Sequence, residues 1–563
     1  MTWEPYRAED YVSLEDLERW CQQLAQTFPE WVRLESIGES RHGRTIWMLT
    51  LGDAELDPEH TPAIWIDAGT HASEWCGVSA ALFATSRWME QLTDGDHPEV
   101  EDWFSNHLAF VVPCISPDGY QAMFEGAPYL RSTLRPPRHD EPRQGFEACD
   151  MTGDGAVRWM RFKHPAGALV DDPDVPMYMR PRTLDDDPAD AYFLCDEGQF
   201  LEWDGSDWEM APLEFGVDLN RNFPSHWAPF SMFGMDAGAY SLSEPESRAV
   251  VDAFEARKGI GAALTNHTYT GCVLTQPYRQ DSPLGQRDID VMYALANDLV
   301  EGTDYDVYKV CPDFMYDPKK PTVGVWSDTM STVFGVPGYT VEFWNPYGFA
   351  GVTVEKPAAF FMNPDAKIVR AMLEAFSKIP GAVIDWQPFE HPQLGEVEVG
   401  GIDYLRTIRN PPVGLLAREC EKGFKMAERI RVAIPEVVST LSVRALGDGL
   451  NEVRLDLENL GFLSTCGLRR AIDINASPGV TAHLEVEGGV ELVDETSLRQ
   501  LDHLSGWGEL RTGGAKHMIY ASLPTPSHRA SARWLVRGEG SVTVKYRAGR
   551  AGLGEQTQEI SAS

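Results

Sequence analysis

Ala63-Ile-Trp-Ile-Asp-Ala-Gly-Thr-His71-Ala-Ser-Glu74-Trp-Cys76 is the stretch on which the reading of this chain turns. A short apolar run, Ala63 to Ile66, empties into small residues, and His71 and Glu74 follow three residues apart. A buried strand that ends in a small-residue loop before a helix is where open α/β sheets place their chemistry. His and Glu at i and i+3 can face one metal ion from the first turn of that helix. A His followed by Glu at this spacing arises by chance in a chain with 14 histidines, and a solvated helix start is the plain alternative. The rest of the chain decides between them, because zinc commonly takes two His and one Glu and the third ligand must come from elsewhere.

Working outward, Gly77–Leu92 is apolar at helical spacing and predicts a buried helix behind the site. Leu108–Ile115 predicts a second buried strand, running into the turn Ser116-Pro117-Asp118-Gly119. Upstream, Ser13 and Asp16 resemble a capping box at the start of a helix reaching Leu24. Strands are expected at Val32–Ile37 and Thr45–Leu51, and further on at Phe215–Leu219, Gly261–Asn266 and Val336–Phe343. Helices are expected at Pro245–Lys258 and Asp365–Phe376. This rhythm predicts an α/β/α layered domain with a mixed, mostly parallel sheet over residues 1–380. Residues from about 136 to 214, rich in Asp, Pro, Arg and Gly, are too long for a plain loop and predict a folded insertion. Within them Asp150-Met-Thr-Gly-Asp154-Gly155 resembles the start of a calcium loop, but its twelfth position is Arg161 where a bidentate Glu is wanted.

Residues 381–435 are expected to be a linker with a short helix. After Pro435 the period changes to two: Val453, Leu455 and Leu457 alternate with charged residues, as do Leu484 with Val486 and Val542 with Val544. This predicts a C-terminal all-β, Ig-like sandwich over 436–563, free of any catalytic cluster.

The 563 residues carry 86 acidic against 48 basic side chains, a net charge of −38. Such a balance argues against nucleic acid and anionic membranes as partners. The nine cysteines are scattered, with no Cys-x-x-Cys pair, and point to a reducing compartment. The N-terminal residues lack an apolar signal segment and no run is long enough to span a membrane, so a cytoplasmic location is expected.

The third ligand is assigned to His267 in Leu-Thr-Asn-His-Thr-Tyr-Thr-Gly, which also follows an apolar strand. With it in place the chain resembles the carboxypeptidase A-type zinc peptidases over roughly residues 8–380. His71-Ala-Ser-Glu74-Trp75 resembles their zinc signature, and Pro117-Asp118-Gly119-Tyr120 the turn that follows it. Gly216-Val-Asp-Leu-Asn220-Arg221-Asn222-Phe223 resembles the carboxylate-binding stretch, and Ser243-Glu-Pro-Glu246 is a further marker. His267-Thr-Tyr resembles the third-ligand segment, and Tyr339-Thr-Val-Glu342 the strand bearing the catalytic glutamate.

The resemblance implies a sheet of about eight strands, Zn²⁺ on His71, Glu74 and His267, and Glu342 as general base. It implies Arg131 as the residue that polarises the scissile carbonyl, and Asn220 with Arg221 as the grip on a substrate carboxylate. The implied activity is removal of the C-terminal residue from short peptides with a free carboxylate. An amidase acting on cell-wall-type peptides or N-acyl amino acids, and an inactive binding module, are the alternatives.

Three departures stand out. Ser73 replaces an arginine that in many members contacts the substrate chain. The Trp and Tyr usual after the aspartate matching Asp328 are missing, and Tyr316 is the nearest candidate for the substrate-capping tyrosine. The stretch between Arg131 and Asn220 is much longer than in the simplest members. Ser327, small and uncharged, lies where the resemblance places the floor of the terminal side-chain pocket, which predicts a leaning towards neutral or polar termini.

Overall fold

The structure is a computed structural model that describes residues 3–136, 143–175, 177–202, 205, 209–232, 234–317, 320, 322–362, 364–513 and 526–561. Its centre is an eight-stranded sheet: β1 (Val32–Glu39), β2 (Thr45–Leu51), β3 (Ala63–Ala68), β4 (Leu108–Val112), β5 (Ile260–Thr268), β6 (Cys272–Thr275), β7 (Asp306–Lys309) and β8 (Gly338–Phe343). In space they run β1-β2-β4-β3-β5-β8-β6-β7. The central pairs β4–β3, β3–β5 and β5–β8 are parallel, while β1–β2, β2–β4 and β8–β6 are antiparallel.

Every residue of β3, β4 and β5 is buried. That explains why these strands read as unbroken apolar runs, for both faces of the sheet are covered. Successive residues serve opposite cores. Ile64, Ile66 and Leu264 pack under α1 (Leu14–Thr27), α2 (Trp75–Asp94), α4 (Gln286–Val300) and α6 (Val413–Ala433). Ala63, Trp65 and Ala263 pack against α3 (Pro245–Glu255) and α5 (Trp326–Thr332). Helix α2 approaches β5 closely because Gly77 lacks a side chain: a Cβ there would stand 2.8 Å from the Asn266 carbonyl oxygen.

Some elements differ from the sequence reading. Phe215–Leu219 is not a sheet strand. Asp218 turns its side chain back onto the Asn220 amide at 3.0 Å and the backbone folds into a 3-10 turn, Leu219–Arg221. The segment expected as a linker is built into the molecule. Val383–His391 and Gly395–Ile402 join the strands of the insertion in one six-stranded sheet. Helix α6 has 21 residues and buries Leu416, Cys420, Phe424, Ala427 and Ile430 on the side of the core that carries α2. Its apolar stripe is interrupted by Glu419, Lys422 and Arg431, which are themselves buried and paired, so the periodicity reads shorter than the helix is. In the segment like a calcium loop, Asp150 accepts the amides of Gly153 and Gly155, and Asp154 pairs with Arg158.

The C-terminal region holds two four-stranded antiparallel sheets. Val453, Leu455 and Leu457 of one meet Val480, Leu484, Val542 and Val544 of the other in a shared core. The sandwich is fastened to the central sheet by Arg550. This buried guanidinium donates to the carbonyls of Cys466, Lys258, Ile260 and Phe334 and pairs with no carboxylate among the described residues. Burial pulls its pKa down to about 10, and those four charge-assisted bonds offset the desolvation. Asp288 completes the joint by accepting the amides of Arg469 and Arg470. Arg550→Met leaves the carbonyls without donors and is expected to lower stability by about 2–4 kcal/mol. Urea unfolding followed by tryptophan fluorescence measures this, and an unchanged midpoint would remove Arg550 from the joint.

Candidate metal centre

Strands β3 and β5 are neighbours, and both carry a histidine where the strand runs out. Gly69, at φ +67°, makes the turn out of β3, and its Cα packs against Cys114 so closely that a Cβ would lie 3.0 Å from it. His71 then stands in the loop and Glu74 at the residue preceding α2, rather than both in the helix's first turn. His71 Nδ1 lies 2.9 Å from Glu74 Oε1 and 3.0 Å from His267 Nδ1, and His267 Nδ1 lies 2.9 Å from Glu74 Oε2. The three residues are buried, and their ligand atoms all fall within 4.8 Å of one another.

The surroundings orient these groups. His71 Nε2 faces Asp218 Oδ1 at 3.1 Å, which leaves the Nδ1 lone pair directed inward. His267 Nε2 faces Thr265 Oγ1 at 3.3 Å. Burial alone would raise the Glu74 carboxyl, but His71, Arg131 and the His267 hydrogen bond outweigh it and hold the group well below the usual carboxylate range. Asp218 behaves alike: Arg221, His71 and Arg131 overcome its burial. Burial pulls His267 below its ordinary value, which favours the neutral imidazole that a metal requires. Two imidazole nitrogens and a carboxylate within reach of one point form a donor set that fits Zn²⁺.

Of the other expected residues, Glu342 and Arg131 stand beside this cluster. Glu342 lies directly across from His267 in the β5–β8 register. Burial, then the neighbouring Glu74 carboxylate, pushes its carboxyl well above the ordinary range. Arg131 donates from Nη1 to Glu74 Oε1 at 2.9 Å, and its Nε stands 3.6 Å from Asp218. Asn220 Oδ1 accepts the Trp326 amide at 2.9 Å. Arg221 donates to the Asn220 carbonyl at 2.7 Å and lies over the Phe230 ring, while its buried Nε has no partner. Ser327 is buried, its hydroxyl 2.6 Å from Tyr278 OH and 2.8 Å from Thr340 Oγ1. Asp328 is tied to Gln276 Nε2 at 2.7 Å and to Ser225. Tyr316 is within electrostatic reach of Arg131, Arg221 and Glu342.

Three participants escaped the sequence reading. Asp218 orients His71, and its signal was present, since it lies inside the stretch that carries Asn220 and Arg221. Arg409 and Asn410 come from a segment with no motif. Asn410 Oδ1 accepts the Cys76 amide at 3.0 Å, capping α2 from outside, and its Nδ2 donates to the Ser73 carbonyl at 2.8 Å.

Residues 17–350 match the family described as zinc carboxypeptidase, and residues 437–559 match one described as a domain of unknown function. Carboxypeptidase A6 of Mus musculus is 33% identical over 157 residues, 27% of this chain and 33% of that protein. Carboxypeptidase B of Astacus astacus is 33% identical over 133 residues, 24% of this chain and 40% of that protein. The chain thus spans 33% and 40% of the length of these curated relatives. Among solved structures, bovine thrombin-activatable fibrinolysis inhibitor in complex with tick carboxypeptidase inhibitor aligns at 16% identity with a TM-score of 0.41, covering 75% of this chain and 97% of that one.

Proposed function

This chain belongs to the zinc carboxypeptidase family, and from that premise we propose that it removes the C-terminal residue of short peptides bearing a free carboxylate. The observation that carries the reading is the register of β5 and β8, which sets Glu342 beside His267 and so beside the whole ligand cluster. His71, Glu74 and His267 would hold Zn²⁺, which when bound supplies Lewis acidity towards the scissile carbonyl and water.

The remaining chemistry belongs to the chain. Glu342 takes a proton from the attacking water and passes it to the leaving amine. Arg131 stands ready for the charge that develops on the carbonyl oxygen. Asn220 and Arg221 take the terminal carboxylate, and the free Nε of Arg221 supports that role. The chemistry is placed in residues 1–380 with the segment carrying Asn410 as a brace, and the sandwich of 436–563 acts as support. Mass spectrometry of N-acylated peptides incubated with the protein tests the reading. Loss of a single C-terminal residue, abolished by a chelator and restored by zinc, is expected. Equal cleavage of peptides with an amidated C-terminus would sink it.

We assign the terminal side chain to the neighbourhood of Ser327, whose hydroxyl meets those of Tyr278 and Thr340. These hydroxyls offer no charge partner for Lys or Arg, which supports the leaning towards neutral or polar termini. Ser327→Asp places a carboxylate within reach of two hydroxyl donors. It is expected to raise kcat/KM for C-terminal Arg over C-terminal Ser by about a hundredfold, worth about 2.7 kcal/mol. Peptides differing only in the last residue measure this, and an unchanged ratio would mean that residue 327 does not face the pocket.

A further inference from the structure

We propose that Arg409 is a substrate-binding residue, one that grips the peptide carbonyl on the N-terminal side of the scissile bond; the proposal rests on the exopeptidase reading above. Arg409 lies outside the 17–350 stretch that carries the family likeness, on a short helical turn, Leu405–Arg409, that follows the insertion sheet. Asn410 fastens that turn to the metal-binding loop through the Ser73 carbonyl and the Cys76 amide. The guanidinium therefore arrives beside the residue at which the chain carries a serine. Ser73 Oγ is itself buried without a partner.

The setting of Arg409 is that of a held but unfinished cation. Its Nη1 lies 3.4 Å from Glu74 Oε1 and 3.3 Å from the Thr268 carbonyl, and its Nη2 donates to Tyr404 OH at 3.2 Å. The rings of Tyr269 and Tyr404 flank it at 5.1 and 5.7 Å. These aromatic walls fix the plane of the fork. Its Nε is buried and has no acceptor. A buried N–H left unpaired is unfavourable and native proteins keep few of them. The same is true in this site of Arg221 Nε.

Neutralising Glu74 does not account for Arg409. That carboxylate already has Arg131 at 2.9 Å, both histidines, and the Thr268 amide at 3.1 Å. Position selects the ligand. Arg221 sits on the Asp218 side of the cluster, where it is the strongest influence holding that carboxylate down. Arg409 sits on the side of Glu74, Thr268 and Tyr269. A peptide whose carboxylate meets Asn220 and Arg221, and whose scissile carbonyl meets the ligand cluster, continues past Glu74 towards Arg409. The acceptor that it brings there is a backbone carbonyl, which suits a guanidinium.

The test compares N-acetyl-Ser, which has no carbonyl beyond the scissile one, with N-acetyl-Ala-Ser and N-acetyl-Ala-Ala-Ser. In Arg409→Met the ratio of kcat/KM for the longer substrates over N-acetyl-Ser is expected to fall tenfold or more, mainly through KM, with part of the loss regained in Arg409→Lys. A parallel arm needs no turnover. In the zinc-loaded Glu342→Gln background, calorimetry is expected to show N-acetyl-Ala-Ala-Ser binding weakened tenfold or more by Arg409→Met at unchanged zinc content. An unchanged ratio and unchanged binding would overturn the proposal. So would a uniform loss on all three substrates with loss of zinc, which would make Arg409 a support for Glu74. If the wild-type protein cleaves none of the three, the exopeptidase reading falls while the calorimetric arm still decides on Arg409.

Discussion

Replacing Glu342 by Gln is expected to lower kcat by about a thousandfold, within the 10²–10⁴ range of general acid–base catalysis, while zinc content and thermal midpoint stay at wild-type values. The argument starts from the sheet. Glu342 stands in β8, whose neighbours β5 and β6 hold it on both sides: His267 is its partner in one and Cys272 in the other. The two flanking strands therefore fix its height relative to the ligands. Burial and the Glu74 carboxylate raise its pKa, which makes it a stronger base than a solvated glutamate. Gln keeps the shape and can still accept a hydrogen bond from water, but cannot take the proton. It also removes a charge that burial disfavours, so no loss of stability is expected from the exchange. Steady-state kinetics with elemental analysis of the same preparation gives the answer. Turnover within tenfold of wild type would mean that another group is the base.

The legible part of the fold was its centre. β3, β4 and β5 are buried on both faces and so present unbroken apolar runs that composition alone betrays. The ligands were legible because they follow those runs directly. The sandwich was legible for the opposite reason: each strand has one wet face, and Val453, Leu455 and Leu457 stand out against charged neighbours. What escaped has physical causes. Helix α6 hides its length because Glu419, Lys422 and Arg431 are buried in pairs and interrupt the apolar stripe. Val383–Ile402 looks like a linker because its strands complete a sheet begun by the insertion, more than 180 residues earlier in the chain. Arg409 and Asn410 touch the Glu74 carboxylate and backbone atoms of Ser73, Cys76 and Thr268. A polar residue that caps a distant helix leaves no periodic or spaced signal near itself.

His71→Ala is expected to strip the protein of zinc under conditions in which the wild type retains about one ion per chain. Structural zinc sites are worth about 10–16 kcal/mol shared among four ligands, so one ligand carries roughly 3–4 kcal/mol, a factor of about 10²–10³ in affinity. Asp218→Asn removes only the carboxylate behind His71 Nε2, 3.1 Å away, and the expected weakening is about 10–100-fold. The two variants should therefore fall in that order in a competition titration against a chelator. Both should remain folded. Glu74 keeps Arg131 and the Thr268 amide as partners, and the core beneath is made of Ile64, Ile66, Leu264 and the buried faces of α2 and α6. Loss of the ion then lowers the thermal midpoint only by the binding energy forgone through mass action. Full zinc occupancy in His71→Ala would show that the ion is held elsewhere, and unfolding on chelation would make the site a structural one.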